Sequence, residues 1–189
     1  MSNSIILGAV LVNMKLEDQN IQRLAIYFFF DPDGIVDQYV LYMLNDIKQN
    51  VSDLLIVCNG KLTPEGREEF EKLTPNILVR ENKGFDVWGY KEGMEQWGWD
   101  QLRKLDELIL MNSTIMGPLY PLNVMFNEMN TRDVDFWGIT THSKINFDPF
   151  GKIKYGYIPT HLQSHFIAIR KHMLQSMEFK YYWDHIPQI

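Results

Sequence analysis

The sequence predicts an α/β fold with a mainly parallel central sheet flanked by helices. Three observations point there. Short runs such as RLAIYFFF, DLLIVCN and DELILMN are apolar almost throughout, as strands buried on both faces are. Each run stops abruptly at turn-forming or small polar residues: DPDG, Asn59-Gly60 and NST. Between the runs lie segments with helical spacing, and strands alternating with helices imply parallel pairing.

The elements follow in order. Arg23 to Phe30 is the first strand, closed by DPDG. Val36, Val40, Met43, Leu44 and Ile47 then share one face of a helix. Asp53 to Asn59 is the second strand, and Thr63-Pro64 opens a helix as cap and first residue. NILVR gives a third strand ending at Arg80, and the next helix starts about Asp86, which suits its N-cap. Asp106 to Asn112 is the fourth strand, and Pro121 opens the helix LNVMFNEMN. Asp135 to Thr140 and Ser164 to Arg170 are strands five and six, separated by a long loop from Thr141 to Pro159. One last helix covers HMLQSMEFKYYWDHI.

Composition narrows the function. A net charge of −6 leaves no basic excess to displace counterions from a nucleic-acid backbone. Cys58 is the single cysteine, so an internal disulfide is excluded and a reducing, cytoplasmic setting is expected. SIILGAVLV, Ser4 to Val12, is far shorter than the ~20 residues that span a bilayer and has no basic residue before it. Residues 1–22 are expected to be an appended strand or loosely held segment, and residues 23–189 one domain.

In open sheets of this kind ligands bind beyond the carboxyl ends of the strands, near the point where strand order reverses. That rule selects Asp31, Asn59, the loop Arg80 to Asp86, Asn112 to Thr114 and the region of Asp135. Each is a common turn former by itself, but several such clusters fall on one sheet edge. In RENKGFD, Gly84 permits a sharp turn before a helix, with Asn82 and Asp86 suited to a base or ribose and Arg80 or Lys83 to phosphates. Neither GxGxxG nor GxxxxGK[ST] occurs, so the common phosphate cradles are absent. Asn112, Ser113 and Thr114 could bond a diphosphate or sugar but are poor ligands for a hard cation. His161, Gln163 and His165 alternate onto one side of a strand, and Trp88, Trp97, Trp99 and Trp137 are expected in the core or at its rim.

FDPDGIVDQYV, RENKGFD, LILMNS followed by GPLYPL, DFWG, and HLQSHF before a helix ending YYWDHI resemble the rhamnan synthesis protein F family in order and spacing. The resemblance implies a GT-A type glycosyltransferase domain, which continues past the end of this sequence in fuller family members. It implies a nucleotide-sugar donor, dTDP-L-rhamnose, and a lipid-linked glycan acceptor at the inner face of the membrane. It places Asp31, Asn59, Arg80, Asn82, Lys83, Gly84, Asp86 and Asn112 to Thr114 on the nucleotide sugar, with Trp137, His161, Gln163 and Ser164 on the acceptor or sugar side. His161, Asp86 and Asp135 remain alternative bases for the acceptor hydroxyl. A divalent metal, Mg or Mn, is also implied, but the acidic Asp-x-Asp pair that would hold it is replaced by Asn112-Ser113-Thr114, and no metal ligand is assigned. The alternative to transfer is a glycosyltransferase-like module that binds nucleotide sugar or glycan without turning it over.

Overall fold

The computed structural model describes Lys15, Leu16 and residues 20–188. The apolar stretch Ser4 to Val12 lies outside the described residues. In chain order the elements are β1 (Arg23–Phe29), α1 (Gln38–Lys48), β2 (Asp53–Asn59), α2 (Pro64–Glu71), β3 (Ile77–Arg80) and α3 (Phe85–Trp97). They continue with α4 (Trp99–Leu102), β4 (Glu107–Asn112), α5 (Leu122–Asn130), β5 (Phe136–Gly138), β6 (Thr141–His142) and β7 (His161–Leu162). The last are β8 (Phe166–Arg170), α6 (Lys171–Gln175) and α7 (Met177–His185).

Six strands form one sheet in the order β3-β2-β1-β4-β8-β5. β1 to β4 are mutually parallel, while β8 runs antiparallel between β4 and β5. The chain builds outward from β1 to β3, then crosses back to lay β4 on the other side of β1. The order therefore reverses between β1 and β4, where Phe28 stands level with Asn112.

The period of two along each strand divides the core. Ala25, Tyr27 and Phe29 face Val40, Met43, Leu44 and Ile47 of α1 and Phe70 of α2. Leu24, Ile26 and Phe28 face Tyr90 and Met94 of α3, with Phe179 and Trp183 of α7 in the same layer. Two glycines let α3 lie close on the sheet: a Cβ at Gly89 would fall 2.2 Å from Phe28 Cδ2, and one at Gly93 2.9 Å from Ile26 Cγ2.

Three expectations change in detail. The single C-terminal helix is two, because Ser176 is extended (ψ 146°) and its hydroxyl accepts from Phe179 N, capping α7. The long loop carries a small hairpin, β6 with β7, extended by paired bonds between Ile145 and Ile158. Asp86 is not the N-cap of α3: Gly84 is, at φ 68°, and Phe85 follows at φ 54°, so the helix starts one residue earlier and Asp86 lies in its first turn.

Glu107, wholly buried, ties four strands together at the amino end of β4. It accepts from Arg23 Nε (2.7 Å), Arg170 Nε (2.5 Å) and Trp137 Nε1 (2.8 Å).

Candidate functional site at the carboxyl edge of the sheet

The parallel strands end together, so their following residues gather on one edge. Two hydrogen-bonded groups stand there.

The first is built on Arg80. Its guanidinium grips Glu92 of α3 with Nε (2.8 Å) and Nη2 (2.6 Å), and Nη1 donates to Lys83 O (2.9 Å) and to Asn59 Oδ1. The Arg80 side chain is only 4% exposed, and four of its five N–H donors are already engaged within the protein. Its sequence-based role near phosphates is therefore corrected: it organises the loop. A guanidinium only donates, so the Asn59 oxygen faces it and the Asn59 amide nitrogen must turn to Asn82 Oδ1, 2.5 Å away. Asn82, exposed at the loop tip, is thereby turned with its own NH2 group outward. Lys83 is exposed and pairs with Glu81 at 2.6 Å.

The second group crosses the switch point. Asn112 Nδ2 donates to Asp86 Oδ2 at 3.0 Å, and the other Asp86 oxygen accepts from Val87 N. Asn112 Oδ1 accepts from Thr114 N (3.2 Å) and Thr114 Oγ1 (2.5 Å). Thr114 Oγ1 is also 3.1 Å from His165 Nδ1, at the start of β8. Ser113 is buried; its N donates to Phe28 O, and its carbonyl accepts from Tyr39 OH. Burial, then Asp37 and Asp31, raise the Tyr39 phenol above its ordinary range. The buried Tyr90 hydroxyl donates to Ser164 O (2.8 Å), and burial, with the charge of Asp86 second, pushes its pKa well up.

Asp31 sits at the same edge, after β1. One of its oxygens accepts from Asp33 N and Ile35 N, both at 2.9 Å, so it shapes its own turn. His161, Gln163 and Ser164 are on the segment leading into β8. His161 is exposed, stacks on His142 and donates from Nδ1 to Pro159 O. Beside them an apolar cavity of about 730 Å³ opens between α3, β8 and α7, with Tyr90, Ser164 and His161 at its polar end.

Two candidates stand elsewhere. Trp137 is 6% exposed, bonds Glu107 and packs on Phe126 and Phe166, so it is core and not on an acceptor side. Asp135 precedes β5, at the amino end of β4, and pairs with His172 at 2.7 Å. It does not join Asp86.

Hard divalent cations need several oxygen ligands, carboxylates foremost. Among the described residues no group of three or more His, Cys, Asp or Glu converges. At the end of β4 the Asn112 oxygen already accepts two bonds and its nitrogen faces Asp86. These residues do not fit a divalent metal.

His165, Glu92 and Tyr39 were not assigned site roles from sequence. The expected alternation of His161, Gln163 and His165 along one strand is corrected: Gln163, Ser164 and His165 lie in the turn between β7 and β8, and the link from His165 to Asn112 requires the antiparallel pairing of β8 with β4.

The profile of the family described as rhamnan synthesis protein F matches residues 54–189, well over half of the chain. The chain belongs to the rhamnan synthesis protein F family. A curated relative, the uncharacterized protein y4gN of Sinorhizobium fredii, is 22% identical over 164 residues, covering 87% of this chain. The chain spans 40% of the length of that relative. Among solved structures, core-mannan synthase A from Aspergillus fumigatus in its Mn/GDP form is similar at TM-score 0.40 and 9% identity, over 92% of this chain and 66% of that one.

Proposed function

We propose that this chain is a GT-A-like glycosyltransferase domain that takes rhamnose from dTDP-L-rhamnose and adds it to a growing cell-surface polysaccharide. The observation that carries the reading is the convergence of Asn59, Asn82, Asp86, Asn112 and Thr114 on one edge, at the strand-order reversal. Membership in the rhamnan synthesis protein F family supports this choice of substrate class.

In this reading the outward NH2 of Asn82 meets carbonyl oxygens of the base, and Phe85 offers it an aromatic face. Phe85 is 72% exposed and held left-handed, a conformation costing ~1–3 kcal/mol that is kept mainly where function uses it. Asp86 and Asp31 take ribose hydroxyls. Lys83 and the Ser113 hydroxyl stand nearest the departing diphosphate, whose charge must be met by donors already in place.

The acceptor is a lipid-linked glycan, reached at a membrane surface. Among the described residues no helix is long and apolar enough to cross a membrane. The hairpin loop 143–157 instead exposes Phe147, Phe150 and Tyr155 among Lys144, Lys152 and Lys154. Aromatic tips with lysines suit an anionic interface.

Calorimetry with dTDP, UDP and GDP, each with and without Mn²⁺, tests the donor assignment. Selective dTDP binding without need of Mn²⁺ supports it. One observation favours a second reading, a binding module without turnover: the acidic pair is replaced by Asn112-Ser113-Thr114. Tight dTDP binding with no hydrolysis of dTDP-L-rhamnose would establish that reading instead.

A further inference from the structure

We infer that His165 is the base that takes the proton from the attacking hydroxyl. The inference rests on the transferase reading and names a residue that reading leaves open.

The argument starts from Asp86. A carboxylate only accepts, so the group on Asn112 facing it is the amide NH2, and the Asn112 oxygen points the other way, to Thr114. Thr114 has one hydroxyl proton and donates it to that oxygen, its distance of 2.5 Å being the shorter of its two contacts. Its remaining lone pairs face His165 Nδ1 at 3.1 Å, so Nδ1 must carry the proton. Neutral His165 then has its free lone pair on Nε2, at the far end of the ring. The relay Asp86–Asn112–Thr114–His165 thus sets one tautomer, as a carboxylate behind a histidine does in other bases.

Place agrees with chemistry. His165 is half-buried at the amino end of β8, beside the end of β4; its carbonyl accepts from Asn112 N at 3.1 Å, which anchors the backbone. The neighbouring Ser164 lines the apolar cavity. His161 lacks this support: it is exposed and its Nδ1 meets only the carbonyl of Pro159 two residues away. In the reaction the hydroxyl proton passes to Nε2 while the hydroxyl oxygen forms a bond to sugar C1. The bond from C1 to the nucleoside diphosphate breaks, its electron pair leaving with the diphosphate. The imidazolium then releases its proton to water.

The test uses water as acceptor, reading hydrolysis of dTDP-L-rhamnose with dTDP affinity measured alongside. His165→Ala removes the base, whereas His165→Asn keeps a donor to Thr114 but has no basic nitrogen. Both should lose ~100-fold or more in turnover. Both should bind dTDP within about twofold of wild type, because the loss belongs to the transition state. Added imidazole should restore part of the rate of His165→Ala. Asn-variant turnover within about threefold of wild type would overturn the inference, leaving a positioning role. Loss of dTDP binding in both variants would overturn it too, placing His165 on the donor. A wild-type protein that binds dTDP but never hydrolyses the donor would sink the transferase reading and this inference together.

Discussion

Asn82 illustrates how one side chain takes its chemistry from neighbours it does not choose. Arg80 turns Asn59, and Asn59 turns Asn82, leaving two N–H donors facing solvent. Asn82→Asp would keep the size but replace those donors with a charged acceptor. Under the proposed function dTDP affinity should fall about tenfold in Asn82→Ala and further in Asn82→Asp. Equal affinities in both, by calorimetry, would remove Asn82 from the site. Cys58 makes a contrasting case. Burial pushes its thiol up to about 12 from 9.0, against a smaller opposing effect of Arg67. A thiol held protonated in the core is no nucleophile. It should resist a thiol reagent at neutral pH until the protein unfolds. The raised value also sets a pH dependence. Between the unfolded value near 9 and the folded value near 12 the native state holds a proton the unfolded state has lost, so stability falls as pH rises. Tyr27 and Tyr90, also raised by burial, act in the same direction. The urea midpoint should therefore drop on going from roughly pH 8 to roughly pH 10.5.

At the scale of elements, the entry to α3 and the hairpin loop carry separate predictions. A Cβ on Gly84 would lie 2.5 Å from Trp88 Cγ, and the residue is left-handed at φ 68°. Gly84→Ala should cost ~1–3 kcal/mol and displace Phe85 and Asp86 together. Thermal unfolding measures the cost, and dTDP affinity should fall with it. The hairpin loop is held at its base by Ile145 and Ile158, so its tip can change without disturbing the sheet. Phe147→Ala with Phe150→Ala should leave the unfolding midpoint in place and weaken sedimentation with phosphatidylglycerol vesicles. Unchanged sedimentation would rule out this loop as the contact. These elements also show the limits of pattern reading. α1, α2 and α5 were legible from spacing and caps. The split at Ser176 was not, since HMLQSMEFKYYWDHI keeps helical spacing throughout and Ser inside a helix is not rare.

Across the whole molecule the sheet is held at its two edges by different means. The amino edge rests on Glu107, buried between Arg23 and Arg170 and linked to Trp137. Removing one charge from such a set leaves the others uncompensated, so Glu107→Gln should destabilise by ~3–5 kcal/mol, read from urea unfolding. A small effect would mean that the two arginines find solvent or other partners. The carboxyl edge instead has the Arg80–Glu92 pair and a set of amide, hydroxyl and carboxylate groups bonded to one another. Sequence alone determined the strand–helix alternation, the buried runs and the residues at the strand ends, because period and turn chemistry are local properties. It also pointed to one sheet edge, since parallel strands must end on the same side. Tertiary structure decided which of those residues touch. The antiparallel placement of β8 beside β4 brought His165 to Thr114, while Asp135 stands at the opposite edge because it precedes β5, which runs the same way as β4, and Trp137 packs in the core. The engagement of Arg80 by Glu92 and Asn59 likewise belongs to packing between α3 and the sheet. Such pairings join residues far apart in the chain, and nothing in local spacing encodes which distant partner a side chain will meet.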